Sequence, residues 1–518
     1  MAEKQQQPNF LLIMADFMGA KPMPLYGGNL VRIPNIEALA KDGVVFEKAY
    51  SNAPLCAPSR ASMMTGKLPS KISVFDNGAE LPSSIPTIAH YLRARGYATC
   101  LSGKMHFVGA DQLHGFEERV TSDVVPADFG WMPFGPDTEP AWKDAALDEW
   151  PNMKPVIEAG VCIRSLGMDF DDEVAFQAVR KIHDYARDPD QKPFFLTASF
   201  IEPHEPYATT QAFWDRFDHH AIPAPTVPFI PYKNQDAHSR RLYDLSKVGE
   251  ENVTDDHIRN SRHAYCGMVS NIDDKIGALR QALEETGLFD NTVIIITADH
   301  GGMLGERGLW GILNFYEWAS RVPLIFHAPS HLSPRRVGDV VSLLELMPTM
   351  VELAGGDPKN DVVHPIDGVS LATLMAGGTE STPRTVAAEF CAEATESPCL
   401  MIRRGAYKYV YCADDPPLLF DLDQGPDERD NLAENPDYEK TLDDFHGEVM
   451  GQWHPETLKA EVSDSRRRRA FIFAAHTKGK GPAWDHVVDG DAAGRYQRSH
   501  VEPWQATEER AFMRHKRT

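Results

Sequence analysis

The chain has 518 residues, 42% hydrophobic and 25% charged, the values of an ordinary globular protein with room for two or three domains and a sizeable core. With 52 Lys+Arg against 75 Asp+Glu the formal net charge is −23, a field that repels nucleic acid and anionic lipid, so an anionic substrate requires a local positive pocket. Seven irregularly spaced cysteines do not read as an extracellular disulfide framework, and reduced thiols are expected.

Met1 to Pro8 is polar, and the apolar run that follows meets Asp16 too early for a signal-peptide core or a membrane span. A cytoplasmic location with no membrane partner is expected. Phe10 to Met14 has the form of a strand buried on both faces of a parallel sheet. Helical spacing follows at Ile88, Tyr91 and Leu92 before Gly96, and again over Val174 to Tyr185. Phe194 to Phe200 repeats the strand pattern and leads into His204. A long helix is predicted from near Asp255 to Glu285, carrying Met268, Val269, Ile272, Ile276, Leu279 and Leu283 and closing at Gly287. Val293 to Thr297 is the next strand, leading into Asp299 and His300. Strands alternating with helices predict an α/β domain, a mainly parallel sheet flanked by helices.

Ligands bind such sheets outside the carboxyl ends of the strands. Asp16, His204, Asp299 and His300 all fall just past such ends, so four polar residues distant in sequence are expected at one crevice. After Gly377 the texture changes to short strands at Val386 to Phe390, Met401 to Arg403, Tyr407 to Tyr411 and Leu418 to Leu422, a smaller antiparallel subdomain. The expected divisions are 1–377, 378–461 and an extended tail over 462–518. The tail holds the basic run Arg466 to Arg469 with Trp484, Tyr496 and Trp504. It is too polar for a core of its own, and either hugs the surface, is partly disordered, or docks its aromatics on a neighbouring surface.

The segment richest in chemistry is Cys56-Ala-Pro-Ser-Arg60, followed by Ala61-Ser-Met-Met-Thr65-Gly66. A short helix from near Pro58 to Gly66 places residue 56 at its N-terminus, where unpaired N–H groups favour anions and Arg60 adds a fixed positive charge one turn on. A cysteine there is an activated thiolate, a modified nucleophile, or a buried structural residue. The tyrosine-phosphatase arrangement fits poorly, because only three residues separate Cys56 from Arg60.

Cys56-x-Pro-Ser-Arg60 with Thr65-Gly66 resembles the first signature of the formylglycine-dependent sulfatases, in which the cysteine is oxidised to formylglycine. Gly96-Tyr-Ala-Thr-Cys-Leu-Ser-Gly-Lys104 resembles their second signature. The resemblance runs from about Asn9 to Leu432 and implies an alkaline-phosphatase-like fold. Within the family, Gly103-Lys-Met-His-Phe-Val-Gly109, Asp111-Gln-Leu-His-Gly-Phe-Glu117, Ala127-Asp-Phe-Gly-Trp131 and Met303-Leu-Gly-Glu-Arg-Gly-Leu-Trp310 are most similar to choline sulfatases, as is the tail around Trp484-Asp485. In that group the tail reaches a neighbouring subunit, which implies a homo-oligomer here, a dimer or a tetramer.

The resemblance also implies roles. A hydrated formylglycine at residue 56 carries two hydroxyls: one, ionised by a divalent metal, attacks the sulfur of a small-molecule sulfate ester, and the second expels sulfate by regenerating the aldehyde. Asp16, Asp299 and residue 56 supply oxygen ligands and His300 a nitrogen, with calcium the first choice of metal and manganese the second. Lys104 and His106 point at the sulfate, Arg60 orients the nucleophile, and His204 donates to the leaving oxygen. Trp131 is a candidate wall for a quaternary ammonium and Glu393 an acidic substrate contact, but Glu149-Trp-Pro-Asn-Met153 lacks the histidine expected in the neighbouring stretch, which points to a different alcohol, an aryl one, as the alternative to choline. A formylglycine-maturation enzyme is an implied partner. Taken singly, each residue has a structural reading as a helix cap, a surface lysine or a hydrogen-bonded histidine, and only the shared order of motifs selects among these.

Three positions depart from the family pattern. Phe17 stands where relatives carry a polar metal ligand, Gly302 where an aspartate is common, and Gly311-Ile-Leu-Asn314, with Ile312, where a lysine contacts sulfate. The departures leave three readings: a sulfatase with a rebuilt site, a hydrolase of phosphonate or phosphate esters using the same nucleophile, and a catalytically silent anion-binding or interaction protein. The joint presence of Cys56, Arg60, Lys104, His106, Asp299 and His300 favours the active readings.

Overall fold

The structure is a computed structural model describing residues 7–133, 152–190, 192–379, 382–393 and 395–488. In chain order its strands are β1 (Asn9–Ala15), β2 (Val44–Tyr50), β3 (Ala98–Gly103), β4 (Glu118–Arg119), β5 (Gly160–Cys162), β6 (Phe194–Phe200), β7 (Ala208–Thr210) and β8 (Thr292–Thr297). There follow β9 (Arg321–Val322), β10 (Leu324–His327), β11 (Arg335–Ser342), β12 (Thr385–Phe390), β13 (Cys399–Arg404), β14 (Tyr407–Cys412) and β15 (Leu418–Asp421).

Nine strands form one sheet in the order β11-β2-β10-β8-β1-β6-β3-β4, with β9 beside β2. The centre is parallel, and β10 runs antiparallel between β8 and β2. Every residue of β1, β6 and β8 is buried, as continuous apolar runs covered by helices on both faces require. The long helices Leu166–Arg187 and Asp255–Thr286 pack against each other, and the first also covers β3 and β6. An alkaline-phosphatase-like α/β architecture is therefore present, with β12 to β15 forming the separate antiparallel sheet.

Register brings the chemistry together. Met14 of β1 is level with Ser199 of β6 and Thr297 of β8, and Gly103 of β3 is level with Ser199. Asp16, Asp299 and Lys104, each one or two residues beyond those positions, therefore emerge along one rim. Gly103 is required for this: its φ is 108°, and a Cβ there would lie 1.9 Å from the Ser199 carbonyl oxygen.

Residue 462, where the tail was expected to begin, lies inside the helix Pro455–His476. Beyond it the chain returns to the α/β domain. Trp484 meets Phe129 edge-on at 5.4 Å, Asp485 accepts from the Ala127 amide at 3.0 Å, and His486 Nε2 donates to the Arg119 carbonyl at 2.9 Å. Tyr496 and Trp504 fall outside the described residues.

Candidate active site

The helix Cys56–Thr65 starts two residues earlier than Pro58, so Cys56 occupies its first turn, and all of its residues are buried. A helix buried on every side must satisfy its polar groups internally. Ser59 Oγ donates to the Asp299 carbonyl at 2.7 Å, and Thr65 Oγ1 donates to the Ala61 carbonyl at 2.8 Å. Arg60 is the hub. Its Nε donates to Asp299 at 2.8 Å, one terminal nitrogen to Asp16 at 3.2 Å, and the other to the Lys104 carbonyl at 2.6 Å and Ser199 Oγ at 2.8 Å.

Around that hub Asp16, Cys56, Asp299 and His300 each offer one donor atom, all within 4.8 Å of one another. Cys56 Sγ lies 3.2 Å from His300 Nε2 and 3.9 Å from Asp16, and Lys104 Nζ is hydrogen-bonded to Asp16. His300 Nδ1 is paired with the Gly301 carbonyl at 3.0 Å, which leaves Nε2 facing the cluster. Two carboxylates, an imidazole and residue 56 form a donor set that fits a divalent cation, and the Cys56 thiol stands in place of the oxygens an oxidised residue would present.

Cationic side chains gather at the cluster despite the acidic chain. Burial and Asp16 push the Cys56 thiol up, but Lys104, His300 and His106 overcome them and hold it well below the usual range. Burial also disfavours the Asp16 carboxylate, yet Lys104, His204, His300 and Arg60 keep it ionised. His204 is raised to about 10: burial opposes its charge, while Glu205, Cys56 and Asp16 favour it. Lys104, Arg60 and His204 thus bring to the cluster the kind of charge that an anionic substrate requires.

The remaining expected residues surround the same point. His106 Nε2 donates to the Asn77 carbonyl at 3.1 Å, and its ring meets Trp131 edge-on at 5.4 Å. Trp131 is 40% exposed, an open wall beside His106. Glu393 accepts from the Asn77 amide at 3.5 Å and is pushed up to about 8 by burial and by the charges of Asp76 and Cys56. Phe17 fills its position with a ring directed at His204 and His300, at 5.6 and 6.0 Å between centroids. Its backbone N–H reaches Asp299 at 3.4 Å. Ile312 is half-buried, and its neighbour Leu313 donates to the Pro54 carbonyl at 3.2 Å.

The family model described as Sulfatase matches residues 8–356. The chain belongs to the sulfatase family. Two further models match this sulfatase: Choline sulfatase enzyme C terminal over residues 460–512, and N-sulphoglucosamine sulphohydrolase, C-terminal, over residues 305–453. It is 42% identical over 508 residues to the choline-sulfatase of Rhizobium meliloti (strain 1021), covering 96% of each chain. To the Delta 4,5-hexuronate-2-O-sulfatase of Bacteroides thetaiotaomicron it is 28% identical over 478 residues, covering 85% and 88%. A solved structure in complex with its substrate D-glucosamine-2-N,6-O-disulfate superposes with a TM-score of 0.71 at 20% identity, covering 88% of this chain and 99% of that one. The phosphonate monoester hydrolase of Agrobacterium radiobacter gives 0.66 at 23% identity, covering 88% and 96%. At such identities the two structures speak to the fold alone.

Two residues of this sulfatase's site escaped the sequence reading. Asn77 accepts from the Ala57 amide through Oδ1 at 2.9 Å, capping the catalytic helix from outside it. Asp76-Asn77-Gly78 has the composition of an ordinary turn, so nothing marked it. Ser199, inside β6, gave no signal of its role as an Arg60 acceptor.

Proposed function

We propose that this sulfatase hydrolyses the sulfate ester of a small alcohol through a formylglycine made from Cys56, with Asp16, Asp299 and His300 holding one divalent cation. The observation that carries the reading is the closure of Cys56, Asp16, Asp299 and His300 within 4.8 Å around the Arg60 guanidinium. Calcium is the first choice for the oxygen-rich donors, and manganese the second because His300 brings nitrogen. Oxidised to formylglycine and hydrated, residue 56 would supply an oxygen nucleophile for the sulfuryl group. The cation supplies Lewis-acid stabilisation of charge on oxygen.

The chain's own residues do the rest. Arg60 fixes both carboxylates, and its hydrogen bonds are all made before substrate arrives. Lys104 and His106 are placed to offset charge growing on the sulfate oxygens. His204 keeps a proton at neutral pH and is placed to donate it to the departing ester oxygen. Trp131 and Glu393, next to His106 and Asn77, are placed to receive the alcohol, and a quaternary ammonium suits that pair.

Choline sulfate is the first substrate to test, given the similarity to a choline-sulfatase across 96% of the chain and the matching C-terminal model. Seven irregularly spaced cysteines, which do not read as a disulfide framework, suit a reducing compartment, the cytoplasm. Among the described residues no helix is long and apolar enough to cross a membrane. A homo-oligomer and dependence on a maturation enzyme belong to the same reading.

The experiment is mass spectrometry of the peptide containing Cys56 after co-expression with a maturation enzyme, joined to a panel of choline sulfate, an aryl sulfate and a phenyl phosphonate ester. Conversion with sulfate-ester turnover is expected. Unmodified cysteine in an active protein overturns the mechanism. Phosphonate turnover alone moves the protein to the phosphonate-hydrolase reading, and full conversion without any turnover moves it to the silent one.

A further inference from the structure

The C-terminal helix Pro455–His476 reaches the active site through one buried ion pair. Arg469 donates to both oxygens of Asp76, 393 residues away, at 2.7 and 2.6 Å. Both partners are buried, Arg469 at 6% exposure and Asp76 at 0%. Stripping two charges of water is costly, and such a pair is worth keeping only where the geometry it fixes matters.

What it fixes is the turn Asp76-Asn77-Gly78. Asp76 Oδ1 also accepts from the Gly78 amide at 3.0 Å, and the Asp76 carbonyl accepts from the Ala79 amide at 3.1 Å. The guanidinium therefore closes on a turn already folded back on its carboxylate. On the other side the turn has no slack, because a Cβ on Gly78 would lie 2.4 Å from the Met132 amide.

Asn77, inside that turn, serves both halves of the site. Its side chain holds the first turn of the catalytic helix through the Ala57 amide, and its carbonyl accepts from His106 Nε2 at 3.1 Å. The carbonyl can only accept, so Nε2 carries a proton and the bond sets the direction of the ring. Nδ1 of His106 is then left buried with no hydrogen-bond partner among the described residues. Such a nitrogen donates to a sulfate oxygen only when it carries a proton as well, so in its role at the sulfate the ring is the imidazolium.

We propose that Arg469 is a positioning residue for sulfate-ester hydrolysis, locking the 76–78 turn so that the Asn77 carbonyl aims His106 at the sulfate. This rests on the role given above to His106. The C-terminal helix thus becomes part of the catalytic apparatus without touching the substrate, and the basic run Arg466 to Arg469 divides by helical period. Arg467 and Arg468 face solvent and pair with Asp464, while Arg469 turns inward.

The test is a double-mutant cycle in the full chain, with Arg469→Ala, Arg469→Lys, His106→Ala and the double variant assayed on choline sulfate and 4-nitrophenyl sulfate. Rates are normalised to formylglycine content by mass spectrometry. Arg469→Ala is expected to lower kcat by about 10–100-fold with KM nearly unchanged, the cost of a misaimed group. Arg469→Lys should recover part of this, since a lysine restores the charge but not the two-pronged contact. In the His106→Ala background the same Arg469→Ala change should cost less than about threefold, because its target is gone. Equal losses in both backgrounds, or an unchanged kcat, overturn the positioning role while leaving the functional reading in place. An unaffected His106→Ala, or no turnover by the wild-type protein, overturns the functional reading and this inference with it. Should Arg469→Ala fail to fold, Asp76→Asn, equal in shape, runs the same cycle.

Discussion

The ring of Phe17 occupies the space a side chain at residue 302 would need: a Cβ built on Gly302 would lie 1.9 Å from Phe17 Cζ and 2.0 Å from Cε1. Two positions that read in the sequence as separate departures therefore meet in space, the glycine at one admitting the ring at the other. Phe17 is 1% exposed and has φ 69°, a left-handed conformation that costs a bulky residue energy and persists only when its surroundings hold it. Edge-on contacts with His204, His300 and Tyr207 provide those surroundings.

Substitutions at this pair are accordingly expected to couple. Gly302→Ala alone should destabilise by about 1–3 kcal/mol, since the ring must leave its place in a packed site. Phe17→Ala alone opens a cavity and should cost about 3–5 kcal/mol. The double variant should be more stable than the sum of the two losses predicts. Denaturant titration of the four proteins checks it, and strict additivity would show that the ring moves aside freely.

Asp16 and Asp299 give a prediction on metal affinity that does not need turnover. Loss of a group that merely orients a ligand lowers affinity by about 10–100-fold, so loss of a ligand should cost at least that. Asp16→Asn and Asp299→Asn should each lower calcium or manganese affinity by that margin, read by calorimetry on chelator-stripped protein. Glu389→Gln serves as the control, since that buried carboxylate binds Ser70 and Trp453 away from the cluster. Equal metal affinity in all four proteins would remove the ligand assignment.

How far the sequence carries depends on the kind of signal each residue leaves. Asp16, His204, Asp299 and His300 were legible because apolar strands announce where they end, and parallel register puts those ends on one rim. The four short strands after Gly377 were legible from alternation and turn residues. The helix Pro455–His476 was not, because its inward stripe is Leu458, Val462, Ser465 and Arg469, half of it polar. Hydrophobic periodicity cannot see a stripe whose burial depends on Asp76, a partner distant in sequence. Asn77 failed for the same reason: its value lies in what reaches it through space, and its neighbours spell only a turn.

Arg60→Lys separates charge from shape at the hub. Arg60 reaches Asp16, Asp299, Ser199 and the Lys104 carbonyl from a planar fork, and burial does not remove its charge because both carboxylates hold its pKa up. A lysine carries the same charge as a point and cannot span the four acceptors. Leaving buried acceptors unpaired should cost about 3–5 kcal/mol. A lower melting temperature together with lower metal affinity is expected, and wild-type behaviour in both would mean that charge alone organises the site.

Glu202 supplies a pH dependence of stability away from the cation cluster. Its side chain is 1% exposed, with one oxygen accepting from Asn271 at 2.8 Å and the other unpartnered among the described residues. Burial raises it from the ordinary 4.5 to about 7, against the lowering effects of Asn271 and Lys275. A carboxyl whose pKa is higher folded than unfolded holds its proton more tightly in the fold. Its contribution is complete below about pH 4.5 and is lost as the pH rises through about 7. Glu202→Gln keeps the bond from Asn271 and stays neutral at every pH. The variant should therefore melt about 1–3 °C above wild type at pH 8, with the gap closing towards pH 5. Melting curves of the two proteins across that range decide it, because groups remote from Glu202 are shared and cancel in the difference, while the adjacent Asp171, raised by burial and by the Glu202 charge, shifts in the same sense. A constant gap would mean that Glu202 stays ionised in the fold, held by Lys275 more strongly than burial opposes it.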